Sequence, residues 1–380
     1  MDPNAQPDRL SDLPDVLLVL IMSFLSFKER AQTNFLSKRW ESLYLETRDL
    51  SFKESDFLTA SVYANPIRWL KARADFVGYV RRLVDRIRDQ PIETFGISIS
   101  YPKPYLELIE SLMAFAVQKR VKSLVLDFSN LVWRTYNDVN IEKLVVKIPQ
   151  SVYDLTSLES LEVCACKDFD PSKLSKLGKL RSVSFGWMEL TDLPPLLETS
   201  RLESLTMKEC LVHDLEKISS VHLREVAIYN CDFYFMCIFN LPRVDIFKYR
   251  GDIMSFGFDQ MNTIISEVEL DFGAAEKKND VSYDSYGIEA GMICEFLNNL
   301  LDEGRRTATT LTVCPFLLKV IPRSEHPHFL RPMKTKHLVL KTKLHPKEFN
   351  GIRLLLLTCP YLETLTIDLL PPSPIAVKLS

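Results

Sequence analysis

The stretch LESLEVCAC, residues 158–166, decides the fold of this 380-residue chain because it returns three times in related form: as LRSVSFGWM at 180–188, LESLTMKEC at 202–210 and LREVAIYNC at 223–231. Each copy has apolar residues at its first, fourth and sixth positions, and consecutive copies start 21–22 residues apart. Alternating apolar residues indicate a short strand with one buried face. A single unit cannot bury that face alone, so the repetition predicts stacked strands around a shared core.

The same pattern continues on both sides of these four copies. Val244-x-x-Phe247-x-Tyr249 and Ile265-x-x-Val268-x-Leu270 follow, and weaker copies begin at Ile92, Val121, Ala308, Thr335 and Leu362. A step of this length is typical of leucine-rich repeats. We therefore predict an α/β fold whose larger part is a leucine-rich-repeat solenoid, with a parallel sheet on the concave face and helices and loops on the convex face. The wider steps near both ends leave room for helices.

The composition argues against several classes of function. Glycine is scarce, 11 of 380 residues, and no glycine-rich phosphate loop is present. A net charge of −3 gives no basic excess, so nucleic acid is not an expected partner. Eight cysteines spread over a long chain indicate free thiols in a reducing compartment, the cytoplasm and/or the nucleus. The longest early apolar run, Val16 to Phe27, is too short to span a membrane.

Three motifs imitate catalytic or metal sites. Asp271-Phe272-Gly273 lacks the other kinase motifs and falls in a repeat turn. Cys166, with Cys210 and Cys231, occupies the repeat position whose side chain satisfies turn backbone groups, so Cys164-x-Cys166 is not a metal pair. His326-Pro327-His328 has no third ligand at a suitable spacing. We predict no catalytic residue, no metal and no cofactor.

Three short helices are predicted in the first fifty residues. Asp12-Leu13-Pro14-Asp15 favours a helix start, a second helix runs from Lys28 to about Phe35, and Ser37 is a suitable N-cap for a third over Lys38 to about Leu45. So small a unit buries little surface and would gain stability from a partner helix.

This segment resembles an F-box of the plant type. The resemblance rests on Leu13-Pro14, on Leu17-Leu18-x-x-Ile21-x-x-Phe24-Leu25 and on Leu36-Ser37-Lys38-Arg39-Trp40-x-x-Leu43-Tyr44, where Tyr44 stands in place of the more usual Trp. It implies docking onto a Skp-type adaptor and, through it, onto a cullin. By family position the adaptor-binding residues are Leu13, Pro14, Leu17, Leu18, Ile21, Leu36, Lys38, Arg39 and Trp40. Spacing alone leaves open that all of them form the core of a helical cap without a partner.

The resemblance to plant F-box/leucine-rich-repeat proteins covers nearly the whole chain. It predicts a disordered N-terminus at 1–7, the F-box at 8–50, a helical linker that caps the solenoid at 51–120, repeats at 121–330 and an FBD-like terminal module at 331–380.

A helix within Asn65 to Gln90 carries a basic surface, for which a solvated face is favoured over a polyanion site. Its cations are Arg68, Lys71, Arg73, Arg81, Arg82, Arg86 and Arg88.

The function that the resemblance implies is substrate recognition without catalysis, in a Skp–cullin–F-box ubiquitin ligase of the ubiquitin-conjugation pathway. An unidentified protein target would bind the solvent-facing strand positions, whose charges alternate in sign as suits a protein surface. The candidate residues are Glu162, Arg181, Ser184, Glu203, Thr206, Arg224 and Lys248. Two alternatives stay open: a receptor of this type for a hormone or inositol phosphate, and a scaffold that binds the adaptor without driving ubiquitination.

Overall fold

A computed structural model describes residues 10, 12–25, 27–33, 36–45, 48–58, 65–87, 91–130, 144–234, 236–253, 256–273, 287–301, 306–323 and 330–371. The chain divides into two compact units, residues 1–167 and 168–380, which are described separately. Segment 1–7, Arg88 and the pair His326 and His328 lie outside the described residues.

The first unit begins with the three predicted helices. They are α1 (Asp15–Ser23), α2 (Phe27–Thr33) and α3 (Lys38–Leu45). Pro14 precedes α1 with an extended backbone, and the Ser37 hydroxyl accepts a hydrogen bond from the amide of Trp40 at 3.4 Å. Pro14 therefore marks the start of α1, and the Ser37 cap marks the start of α3, as the sequence predicts.

Four parallel strands follow in the first unit: β1 (Asp49–Lys53), β2 (Thr94–Ser98), β3 (Ser123–Asp127) and β4 (Ser160–Cys164). The helices between them are α4 (Pro66–Arg86), α5 (Leu106–Lys119) and α6 (Gln150–Tyr153). β2, β3 and β4 are predicted by the repeat pattern, and β1 is an addition. The wide steps before β2 and β3 hold α4 and α5, as predicted.

The free edge of β1 is covered by the F-box. Leu50 and Phe52 of β1 are buried, α2 packs on the strand, and Arg30 of α2 donates to the Asp49 carbonyl at 3.1 Å. An uncovered strand edge is a site for unwanted pairing. The second F-box helix therefore serves as the cap of this sheet.

The second unit contains eight further parallel strands, all of them predicted from the core repeats and the weaker copies and all in one sheet. Along the chain they are β5 (Ser182–Gly186), β7 (Ser204–Lys208), β10 (Glu225–Tyr229), β13 (Ile246–Arg250), β15 (Ile264–Asp271), β16 (Thr307–Val313), β17 (His337–Thr342) and β18 (Thr364–Leu369). Their pairing is in register: Leu205 lies beside Val226, and Val226 beside Phe247. These three side chains are fully buried.

Short strands and helices form the other layer of the second unit. Two three-stranded sheets contain β6 (Glu189–Leu190), β8 (Leu211–Val212) and β11 (Asp232–Phe233), and β9 (Lys217–Ser219), β12 (Cys237–Leu241) and β14 (Phe256–Met261). The helices are α7 (Pro194–Thr199), α8 (Gly287–Leu300), α9 (Pro315–Val320) and α10 (Phe349–Thr358). The strand, helix and strand predicted for the terminal segment are observed as β17, α10 and β18, and their grouping into an FBD-like module stays a prediction.

At four places the repeat strand ends at a residue with a left-handed backbone conformation. Ala165, Trp187, Glu209 and Asn230 all have φ between 50° and 59°. In the second unit their amides extend the ladder: Trp187 donates to the Lys208 carbonyl at 2.9 Å and Glu209 to the Tyr229 carbonyl at 2.7 Å. Glycine adopts this conformation most readily. The repeat forces it on other residues, which is consistent with the low glycine content.

Gly351 marks the closest helix approach in the terminal module. A Cβ at this position would lie 1.9 Å from the Leu318 carbonyl oxygen of α9, a backbone atom that cannot turn aside. We expect Gly351→Ala to lower the free energy of unfolding by about 1–3 kcal/mol, the usual cost of overpacking. Urea denaturation followed by circular dichroism measures the change.

Gly291 in α8 is the matched control, since no atom lies within 4 Å of its Cβ position. Gly291→Ala should raise stability by up to about 1 kcal/mol because alanine is the better helix former. Equal effects of the two substitutions would contradict the close approach of α10 to α9.

Candidate functional site

The F-box helices share a small core. Leu18 and Met22 of α1 meet Trp40 and Leu43 of α3, and all four are buried. Arg39 ties the two helices together: it donates to Asp15 at 2.9 Å through Nε and to the Leu13 carbonyl at 2.6 Å through Nη2. Arg39 of the motif therefore holds the start of α1 in place.

A row of apolar side chains on α1 faces solvent. Val16, Leu17, Leu20 and Phe24 are 79, 43, 51 and 81% exposed, and Leu36 before α3 is 62% exposed. Positions 17, 20 and 24 lie on one helix face. We call these five residues the adaptor row. So much exposed apolar surface on a small unit indicates a surface that another protein covers.

The nine predicted adaptor-binding residues divide into two groups. Leu18 and Trp40 lie in the core, so their assignment to direct contact is corrected: neither offers surface to a partner in this structure. Pro14, Leu17, Leu36, Lys38 and Arg39 are exposed, and Leu13 and Ile21 are half-buried. For these seven, adaptor binding stays a prediction. Val16, Leu20 and Phe24 are additions that the helical spacing of the sequence could have indicated.

The predicted basic surface of α4 also needs one correction. Arg73 is 2% exposed and lies with Phe76 and Val80 on the inner face of α4. Its guanidinium pairs with the buried carboxylate of Glu54, donates to the Tyr101 carbonyl at 3.2 Å, and lies 4.6 Å from the centre of the Trp69 ring. Glu54 also accepts from the Ser100 amide at 2.8 Å. A buried pair with all these partners joins α4 to the ends of β1 and β2.

The predicted substrate residues form rows on the sheet. Ser184, Thr206 and Lys248 share one row by strand register, with the buried Ala227 between the last two. Arg181, Glu203 and Arg224 precede three neighbouring strands, and Arg181 lies 3.6 Å from Glu203. All six reach solvent. Glu162 belongs to β4 of the first unit and is also accessible. None of the seven is tested as a binding residue, so their role stays a prediction.

The structure adds a charged cluster on the same side of β10, β13, β15 and β17. Lys248 pairs with Glu267 at 3.0 Å, Arg250 with Asp271 at 2.9 Å, and Lys341 reaches from β17 across β16 to Glu269. Hydrogen bonding to Glu267 raises the pKa of Lys248, and partial burial raises the pKa of Tyr229. We call the cluster the charged face. Its residues are Tyr229, Lys248, Arg250, Glu267, Glu269, Asp271 and Lys341.

Three cysteines lie in the turns that follow repeat strands. Cys166, Cys210 and Cys231 donate to the carbonyls two residues earlier, at 3.8, 3.3 and 3.5 Å, as the repeat interpretation predicts. Gly273 donates to Asp271 at 2.9 Å, so the kinase-like triplet is a turn. Over the described parts of the chain, no cluster of three or more potential metal ligands occurs. Within the same parts, no helix has the length and apolarity that crossing a membrane requires.

These features together define an F-box protein of the leucine-rich-repeat class. The F-box domain family matches residues 10–43. The Arabidopsis thaliana F-box/LRR-repeat protein At5g54820 is 45% identical over 99% of this chain and 79% of its own length. F-box/LRR-repeat protein At1g56400 from the same plant is 44% identical over 96% of the chain and 75% of its own length. F-box protein At3g62230 is 36% identical over 99% and 79%.

The chain belongs to the F-box/LRR-repeat family, as this similarity over most of its length shows. At the level of that family, an F-box implies a partner of the Skp type and an adaptor role rather than catalysis.

The buried thiols predict a pH response. Burial raises the pKa of Cys237 and Cys314 to about 12 and that of Cys359 to about 11. At pH 8 we expect iodoacetamide to label the native chain far more slowly than the urea-unfolded chain, whose eight thiols all react. Because a raised folded-state pKa stabilises the protein below the unfolded value, stability should fall as the pH rises from about 9 towards 12.

The control for this experiment is Ile264→Cys, which places a thiol at a position 61% exposed. That variant should take up one label rapidly in the native state. Rapid labelling of the native parent chain at pH 8 would contradict the burial of its cysteines.

Proposed function

We propose that this protein is the non-catalytic substrate-recognition subunit of a Skp–cullin–F-box ubiquitin ligase. The observation that carries the proposal is the adaptor row, an apolar surface that lies on the matched F-box itself. Covering one large aliphatic or aromatic side chain contributes about 1.5–3 kcal/mol, so five of them supply a strong docking site. Its task is proximity: the F-box end joins the ligase while the repeats hold the target near the ubiquitin donor.

Docking on the Skp-type adaptor is tested by introducing lysines into the adaptor row. Leu17→Lys combined with Leu36→Lys should weaken binding of a purified adaptor at least tenfold, about 1.4 kcal/mol, because two ammonium groups would be desolvated. Both side chains are already exposed, so the melting temperature should stay close to that of the parent. Isothermal titration calorimetry measures the affinity.

Ile67→Lys is the matched control, because Ile67 is 80% exposed on α4 outside the F-box. This variant should bind the adaptor as the parent does. Undiminished binding of the double variant would exclude the adaptor row as the docking surface.

The charged face is the proposed target surface. Its cations and anions already neutralise one another, so a target must offer charges in a matching order to replace these contacts. Tyr229 lies among them, half-buried, with the Arg250 guanidinium 5.9 Å from its ring centre. Tyrosine and arginine are common anchors of protein interfaces. A protein target therefore suits this surface better than a bare polyanion.

Target binding is tested by proximity labelling in plant cells with the full chain. Tyr229→Ala combined with Lys341→Glu should abolish labelling of the target while the adaptor is still labelled. Leu17→Lys combined with Leu36→Lys should do the reverse, and the target should then accumulate. Lys217→Glu is the control, since Lys217 pairs with Asp259 at 3.3 Å on a different sheet of the same unit. Loss of the target with this control as well would contradict a role specific to the charged face.

Two alternatives to the proposed function are a receptor for a small molecule and a scaffold that binds the adaptor without driving ubiquitination. The cavity lined by Tyr101, Phe128 and Leu144 measures about 70 Å³ and the one lined by Arg81, Glu107 and Leu112 about 350 Å³, against roughly 300–1,000 Å³ for a drug-sized ligand site. The second reaches the lower end of that range and keeps the receptor alternative open. A scaffold would retain adaptor and target but fail to transfer ubiquitin in a reconstituted cullin assembly. We place this activity in the cytoplasm or nucleus, which the eight free cysteines support.

A further inference from the structure

A groove lies between α4 and α5 of the first unit. Its volume is about 350 Å³, which reaches the size of sites that bind small organic ligands. The floor is apolar: Val84 comes from α4, and Leu108 and Leu112, which are 6 and 2% exposed, come from α5. Such a floor takes the hydrocarbon part of a ligand out of water.

Charged side chains of both signs line the walls of this groove. Arg81 belongs to the α4 wall and Glu107 to the α5 wall, and both residues are exposed. Within the described residues, neither side chain has an ion pair or a hydrogen bond. A cation and an anion that line one groove without pairing leave both charges available to a ligand, as charge-assisted hydrogen bonds require.

Two further polar residues line the groove beside these charges. Asp85 lies one helical turn after Arg81, and Ser111 lies one turn after Glu107. Asp85 has an interaction of its own, so the charges that a ligand can claim without competition are those of Arg81 and Glu107. The groove therefore offers one guanidinium, two carboxylates and one hydroxyl around its apolar floor.

This set of groups disfavours the simpler kinds of ligand. Two carboxylates repel a polyanion, and Arg81 repels a polyamine. A plain hydrocarbon would cover the floor but would strip water from the guanidinium and the carboxylates without replacing it. A molecule that carries an ammonium group, a carboxylate and an apolar body satisfies every part of the groove.

We propose that this groove binds a zwitterion of dipeptide size with apolar side chains. Its terminal carboxylate accepts from Arg81, its terminal ammonium donates to Glu107, and its side chains cover Leu108 and Leu112. A dipeptide separates its two charges by roughly 6–7 Å, the span of two residues, as suits groups on opposite walls, whereas a free amino acid carries both on one carbon. The proposal does not rest on the ligase role, because binding is measured on the chain alone.

Isothermal titration calorimetry of the full chain with the dipeptide leucyl-phenylalanine tests the proposal. A ligand of about 20 non-hydrogen atoms at ordinary efficiency should bind with a dissociation constant of roughly 10–100 µM. N-acetylation of the dipeptide removes its ammonium, and C-terminal amidation removes its carboxylate. Each change should weaken binding by about tenfold or more, because one wall of the groove then loses its charged partner.

The residues should match the modified ends of the dipeptide. Arg81→Gln should weaken binding of the free dipeptide by about tenfold but leave binding of the amidated form unchanged. Glu107→Gln should weaken binding of the free dipeptide to a similar extent but leave binding of the acetylated form unchanged. Arg82→Gln and Glu110→Gln are the matched controls, since both residues are exposed on the same two helices and neither lines the groove. Both controls should bind all three dipeptides as the parent does.

A substitution that fills the groove gives an independent check. Ser111→Trp should abolish binding of the free dipeptide, because the indole would occupy the space of the ligand. Ser111 is exposed, so this variant should keep the parent's circular dichroism spectrum and melting temperature. Three results would overturn the proposal: no binding of the free dipeptide at millimolar concentration, equal binding of the free and end-blocked dipeptides, or an equal loss of binding in the Arg82 and Glu110 controls.

Discussion

The structure depends on one constraint: parallel strands must stack in register so that each buries the apolar face of the next. Leu202, Leu205 and Met207 of one repeat lie beside Leu223, Val226 and Ile228 of the next, and all six are fully buried. A single strand of the stack could not bury its apolar face without the neighbouring repeats. Every other feature follows from this, because each repeat must end its strand, reverse direction and return to the same position about 21 residues later.

The turns show how that requirement is met without glycine. The residue that ends the strand adopts positive φ whatever its side chain, as Trp187 and Glu209 illustrate, since its amide must continue the ladder to the neighbouring repeat. The following cysteine donates its thiol to the carbonyl two residues earlier, which also accepts the ladder amide from the preceding repeat. Left-handed backbone costs roughly 1 kcal/mol for a residue with a side chain. The ladder bond and the buried core outweigh that cost at each turn.

The helix-start residues and the F-box motif predicted three helices. The period-two and 21-residue patterns predicted eleven strands, because both signals are local and repeated. They missed β1, which has one isolated apolar pair, Leu50 and Phe52. Arg73 was assigned to the basic surface by counting charges along the helix, although its spacing from Phe76 and Val80 places it on the inner face. Leu18 and Trp40 were misassigned because a family motif does not separate core from contact positions. The link from Lys341 in β17 to Glu269 in β15 crosses one strand, β16, and could not be predicted from the sequence.

The two proposed binding surfaces differ in kind. The F-box leaves apolar side chains such as Phe24 in water, a state that favours a partner able to cover them, and the proposed docking there rests on this. On the charged face each cation already has its anion, so a protein that merely carries charge gains nothing by binding. Only a target whose charges replace those contacts in the right order recovers the lost pairs. The proposed docking at the F-box and the proposed discrimination on the charged face would therefore arise from two different kinds of surface on one chain.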